Sequence, residues 1–176
     1  EAASLREKYP AIERLARQTE IQIAFNLGKP ENRAGRLFAY LPTEQSSPIP
    51  CHINADFFPE QNRKALVLSG EQHERYWNEM LLVVAANEIS RHLLQLRDVL
   101  GPAGLWKLIG DALEHRRSPH FGIFWEAIAD AASETEIVWS AGERWISPEK
   151  CRIGPSEAEE DEERALTHIA VDLVHS

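Results

Sequence analysis

The residues best suited by type to do chemistry are the two cations of Pro59-Glu60-Gln61-Asn62-Arg63-Lys64, just ahead of the apolar run Ala65-Leu66-Val67-Leu68. An arginine there can offer a planar fork of donors to a phosphate, and a lysine a mobile point charge. Asn62 can pin such a loop by bonding its own backbone two residues on. The chemistry on offer is contact with an anion, in a site whose other parts come from elsewhere. The same six residues also read as a surface turn with two solvated cations, and residue types alone leave both readings open. A second constellation is His52 and Asp56, four residues apart on one face of a strand pattern. A metal site or a small hydrolase built on them needs further ligands, such as His120 or Glu60, and nothing in the spacing delivers those.

Self-sufficient catalytic motifs do not occur: the chain has no Walker loop, no GxGxxG, no GxSxG and no HExxH. Gly101-Pro102-Ala103-Gly104 joins two helical patterns and follows no strand, so it reads as a helix connector and not as a phosphate cradle. His115 and His120 flank Arg116-Arg117 as a basic patch at a helix end, and His92 reads as a core-edge residue of a helix.

The elements that must carry these residues follow from periodicity. Leu5, Tyr9, Ile12 and Leu15 have helical spacing, with an interruption expected at Pro10. Residues 20–27 alternate as a strand, 28–32 are turn chemistry, 36–41 form a second strand and 42–50 a polar loop. Residues 49–57 alternate again, with Ile49, Cys51, Ile53, Ala55 and Phe57 on one face. Three strands with short connections predict an antiparallel meander. Ser69 and Gln72 have capping-box spacing ahead of a long amphipathic helix over 76–100, which Gly101-Pro102 should end. A second helix is expected over 105–115, and a third after the Ser118-Pro119 start signal. Residues 137–146 read as a hairpin about Ala141-Gly142, with Trp139 and Trp145 on its arms. Ser156 and Glu159 open a last helix with Leu166, Ile169, Leu173 and Val174 on one side, and the acidic run 157–163 suits its first turns.

The predicted class is therefore α+β: an antiparallel or mixed sheet of three to four strands packed on a long helix, followed by a helical part and a hairpin. Two subdomains are expected, 1–68 with the sheet and the cationic loop, and 69–176 with the helices. The length of 176 residues and a hydrophobic share of 43% suffice for a real core. A net charge of −9 argues against a general nucleic-acid surface, which needs a basic footprint. No apolar run approaches the ~20 residues that span a bilayer, and 1–17 lacks a secretory pattern. Cys51 and Cys151 show no CxxC spacing, which fits a reducing, cytoplasmic setting.

In order along the chain stand Leu41-Pro42, the strand His52-Ile53-Asn54-Ala55-Asp56-Phe57, Asn62-Arg63-Lys64, and Trp77-Asn78-Glu79 at a helix start. The stretch RLFAYLPTEQSSPIPCHINADFFPEQNRKALVLSG followed by YWNEMLL, with the later GERWISPEKC, resembles the segment after the ATPase domain in sacsin-like proteins. These are Bergerat-type ATPases related to the ninety-kilodalton heat-shock chaperones. The resemblance covers about residues 21–151; the first eighteen residues match no motif, and the usual Asp-Gly of the hairpin is Ala141-Gly142. It implies a transducer-like middle segment that supplies a cationic loop to ATP and magnesium held on a separate N-terminal domain of the parent protein. By motif position Arg63 is the candidate γ-phosphate contact, Lys64 the second, and Asn62 the residue that shapes the loop. It implies no cofactor and no metal in this chain itself, protein clients as further partners, and leaves a homodimer open. The competing reading is a non-enzymatic interaction or scaffold module of a larger protein.

Overall fold

The computed structural model describes residues 2–10, 12, 19–27 and 35–151. The fold is α+β, with a four-stranded sheet, four helices and a small hairpin among these residues. The expected turn at 28–32 and the helix opened by Ser156 lie outside them. Helix α1 (Ala2–Lys8) stops ahead of Pro10, as a ring without an N–H requires, and one further turn closes where Ile12 N–H donates to Tyr9 O at 2.9 Å.

The sheet consists of β1 (Ile21–Phe25), β2 (Arg36–Ala39), β3 (Leu41–Ser46) and β4 (Cys51–Ala55) in the order β1-β4-β2-β3. It is mixed, not the antiparallel meander that three strands predict. β4 pairs antiparallel with β1 (Ile23 opposite Ile53) and parallel with β2 (Leu37 opposite Ile53), while β2 and β3 are antiparallel. The additional strand, β3, occupies the stretch expected to be a polar loop. It is an edge strand, the place in a sheet where Pro42 and a row of polar residues are tolerated. The turn between β2 and β3 is a single residue, Tyr40, in the left-handed region at φ 60°. The return from β3 to β4 passes close over Gly35, where a Cβ would sit 2.2 Å from Cys51 O and 2.3 Å from Ile49 O. Glycine alone fits there.

Helix α2 (His73–Arg91) backs the sheet, packing on β1, and α3 (Leu93–Glu114) and α4 (Gly122–Ser133) complete a helical layer. The long helix expected over 76–100 is divided at His92, which leaves helical geometry at φ −101°, ψ 15° while its Nδ1 lies 2.8 Å from Glu88 O. α3 in turn bends at Gly101, whose φ of 67° a side chain would resist, and Pro102 follows at a position where its missing N–H costs no hydrogen bond. The Ser69–Gln72 capping box does not form: Gln72 precedes α2 without a side-chain cap. Ser118 caps a turn before α4, its Oγ accepting from Phe121 N–H at 3.3 Å. The hairpin β5 (Val138–Trp139) and β6 (Trp145–Ile146) sets Trp139 opposite Trp145, their rings edge to face at 4.9 Å.

The buried face of the sheet (Leu37, Ala39, Cys51, Ile53, Ala55) and the inner sides of the helices (Trp77, Leu81, Ala85, Ile89, Leu105, Leu108, Phe124, Ile128) form one continuous cluster. The core therefore runs across the 68/69 boundary between the two expected subdomains. Burial of this set is the dominant favourable term holding the loop's surroundings in place, at roughly 25 cal/mol per Å² of apolar surface.

Candidate functional site

The loop carrying the cations leaves the core at Phe58 and re-enters it at Val67. Its mouth is closed by Val67 N–H donating to Phe58 O at 3.0 Å, and its body by Glu60 N–H to Ala65 O and Arg63 N–H to Glu60 O, both at 2.8 Å. β3 adds a bond from the Leu66 amide to Gln45 Oε1 at 2.7 Å.

The start of α2 fixes this mouth from beneath. Asn78 is fully buried on the apolar side of the helix. Its Oδ1 accepts from Phe58 N–H at 2.8 Å, and its Nδ2 donates to Phe58 O at 2.8 Å and to Val67 O at 3.0 Å. A carboxamide is the short side chain that supplies one acceptor and two donors together, which is what an excursion with both ends at one place demands. Beside it the buried Trp77 donates from Nε1 to Asp56 O at 3.0 Å. Motif pieces that are separate in the sequence, the strand ending in Asp56-Phe57 and the Trp77-Asn78 helix start, thus meet in one hydrogen-bonded clamp under the cationic loop.

At the tip, Asn62 Oδ1 accepts from Lys64 N–H at 2.8 Å, the self-bonding turn its residue type predicts. Arg63 has φ 57°, so the chain reverses its twist at that residue. Its side chain does not stand free. Nη2 donates to Ala39 O at 3.1 Å and Leu41 O at 3.4 Å, the carbonyls on either side of Tyr40. Arg63 is half-buried, and among the described residues no hydrogen bond is seen from its Nε or Nη1. Lys64 points outward; its only ion pair among the described residues is with Glu44 at 3.7 Å, with both side chains well exposed, and such a pair contributes little. Tyr40 N–H is held by Asn54 Oδ1 at 3.1 Å, and Asn54 Nδ2 donates on to Gln22 Oε1 at 3.2 Å. The conspicuous Asn54 of the strand motif therefore ties β1, β4 and the Tyr40 turn together.

The other constellations disperse. His52 is exposed, its ring edge-on to Phe38 at 5.3 Å, whereas Asp56 is buried beyond the end of β4. His120 Nδ1 lies 3.1 Å from Glu79 Oε1, linking the start of α4 to α2. Among the described residues no three His, Cys, Asp or Glu side chains gather as a metal would require. Cys51 is enclosed in the core, and that burial pushes its thiol up to about 12, against a smaller opposing effect of the Ser47 hydrogen bond. It is not a nucleophile near neutral pH. No helix among the described residues is long and apolar enough to cross a membrane. Comparison with protein-family models, with curated proteins and with solved structures gave no match.

Proposed function

We propose that this chain is the middle, transducer-like segment of a sacsin-like, Bergerat-type chaperone ATPase, acting in the cytoplasm. Its part in the reaction is to bring the Arg63–Lys64 loop to the terminal phosphate of an ATP–magnesium complex held on a separate N-terminal domain of the same parent protein. The observation that carries this reading is the clamp: Asn78 bonds both ends of the loop, and Arg63 and Asn62 stiffen its tip. Held at both ends by one side chain, the loop presents its tip as a fixed unit. The placement of each cation supports a separate role. Lys64 offers a mobile charge outward, while Arg63, oriented through one nitrogen by two carbonyls, offers its guanidinium to phosphoryl oxygens. Negative charge on those oxygens is stabilised by such preorganised donors. Delivery from a neighbouring domain makes turnover depend on domain closure.

The scaffold reading has its own supporting observation, the same internal bonding of Arg63, which a purely structural arginine would also show. Titration of the chain with magnesium tripolyphosphate, followed at the Arg63 and Lys64 side-chain nitrogens by NMR, separates the two. A net charge of −9 disfavours diffuse anion attraction, so a saturable response confined to this loop and lost in Arg63→Ala/Lys64→Ala supports phosphate contact. No response at millimolar ligand favours the scaffold.

A further inference from the structure

The cationic loop is stitched to β3 along its length. Arg63 Nη2 donates to Leu41 O at 3.4 Å, Lys64 Nζ lies 3.7 Å from Glu44, and Leu66 N–H donates to Gln45 Oε1 at 2.7 Å. The loop and the turn between β2 and β3 therefore form one composite surface, with the Arg63 guanidinium at the base of the turn. At its tip stand Tyr40 and Leu41. They are 66% and 62% exposed, the two highest values for large hydrophobic residues among those described. A single exposed apolar residue is ordinary. An aromatic residue and a leucine side by side, next to an arginine, have the makeup of a buried protein contact.

Backbone geometry singles out the same place. Among the described residues three that are not glycine have positive φ: Tyr40 at 60°, Arg63 at 57° and Glu143 at 54°. The first two are bonded to one another's turns, since Arg63 Nη2 reaches the carbonyls of Ala39 and Leu41 on either side of Tyr40. A glycine would take the left-handed turn at position 40 without strain. A tyrosine is disfavoured there and, being largely exposed, recovers little by packing. Asn54 Oδ1 accepts from Tyr40 N–H at 3.1 Å, so the ring is carried on a fixed base.

We propose that the Tyr40–Leu41 tip is the apolar anchor through which this segment docks on the domain that holds ATP, in register with Arg63. The proposal rests on the reading of the loop as a phosphate contact and adds the remainder of that interface. The two chemistries side by side define the occupant: an apolar recess for Tyr40 and Leu41, bordered by an anion for Arg63 and Lys64. A second copy meeting this chain tip to tip would instead set these cations against their own kind.

The intact parent protein tests it. Tyr40→Gly/Leu41→Ser, checked for folding by urea unfolding, should lower ATP turnover about tenfold or more, with the ATP dissociation constant changed less than about threefold. Tyr40→Phe, which keeps the ring, should retain most of the activity. In the isolated chain Tyr40→Gly/Leu41→Ser should leave the response to magnesium tripolyphosphate intact, because the tip touches the partner domain and not the phosphate. Benzoylphenylalanine in place of Tyr40 should photocrosslink to the ATP-holding domain when ATP is bound. Turnover within about twofold of the parent in Tyr40→Gly/Leu41→Ser, with turnover lost in Arg63→Ala/Lys64→Ala, would overturn the anchor and leave the phosphate contact standing. Loss in the tip variant alone would sink the phosphate contact and keep the anchor. Crosslinks between two copies of this segment, or none to the ATP-holding domain, would overturn the proposal.

Discussion

Replacing Asn78 by alanine should loosen the cationic loop at its root. The substitution deletes three hydrogen bonds of a buried side chain, from Phe58 N–H and to Phe58 O and Val67 O, none longer than 3.0 Å. Phe58 O keeps the Val67 amide, so the loss falls chiefly on the Phe58 N–H and the Val67 carbonyl. A buried backbone group deprived of its partner costs about 1–3 kcal/mol, which for two groups gives roughly 2–6 kcal/mol of lost stability. Asn78→Asp keeps the shape and the acceptor but turns a carboxylate oxygen toward two carbonyl oxygens, so it should cost at least as much as alanine at neutral pH. Urea unfolding gives the global figure. Hydrogen exchange gives the local one, because the Glu60, Arg63 and Val67 amides that hold the loop should lose protection before the β4 amides do. A stability change below about 1 kcal/mol, or loop amides protected as before, would refute the clamp.

Further outcomes follow from other positions. Gly35→Ala should destabilise the chain by about 3 kcal/mol or more, or block folding, since its Cβ would fall inside the Cys51 and Ile49 carbonyls; a drop below ~1 kcal/mol in thermal or urea unfolding would count against the strand return described. Tyr40→Gly should be at least as stable as the parent despite losing a large side chain, because Tyr40 is 66% exposed and is held at φ 60°, while Tyr40→Val should cost about 1–2 kcal/mol. In the folded chain Cys151 should react with a thiol reagent at pH 8 at least ~100-fold faster than Cys51, and unfolding should equalise them. The Cys51 thiol, raised from an ordinary 9.0 to about 12 by burial, stays protonated in the folded state. Its contribution to stability is therefore complete below the ordinary value and is lost as pH rises from there toward 12.

Much of the frame is legible in local pattern. Alternation in 20–27 and 49–57 marks two strands, Gly101-Pro102 marks a helix junction, and the paired tryptophans mark the hairpin. What escapes local pattern is decided by distant partners. β3 has the composition of a loop and becomes a strand because β2 offers it an edge. β2 lies parallel to β4 because the chain crosses out to that edge and back, which no window of sequence encodes. The break at His92 depends on its side chain bonding the Glu88 carbonyl. At the site, residue types predict the Asn62 turn, which is local, but not the fold-back of Arg63 onto carbonyls more than twenty residues earlier. Asn78 gave a signal that periodicity alone undervalues. It is a carboxamide on the same helix side as Leu81, Leu82 and Ala85, and a polar group in such a stripe requires buried partners.

Whether this segment supplies charge to a phosphoryl group bound elsewhere is decided in the intact parent protein. ATP turnover and ATP dissociation constant should be measured side by side for the parent, Arg63→Ala, Lys64→Ala and the double variant. The double variant should lose turnover on the order of 10²-fold or more while ATP affinity changes less than about threefold. Unchanged turnover in the double variant, with folding intact, would contradict it.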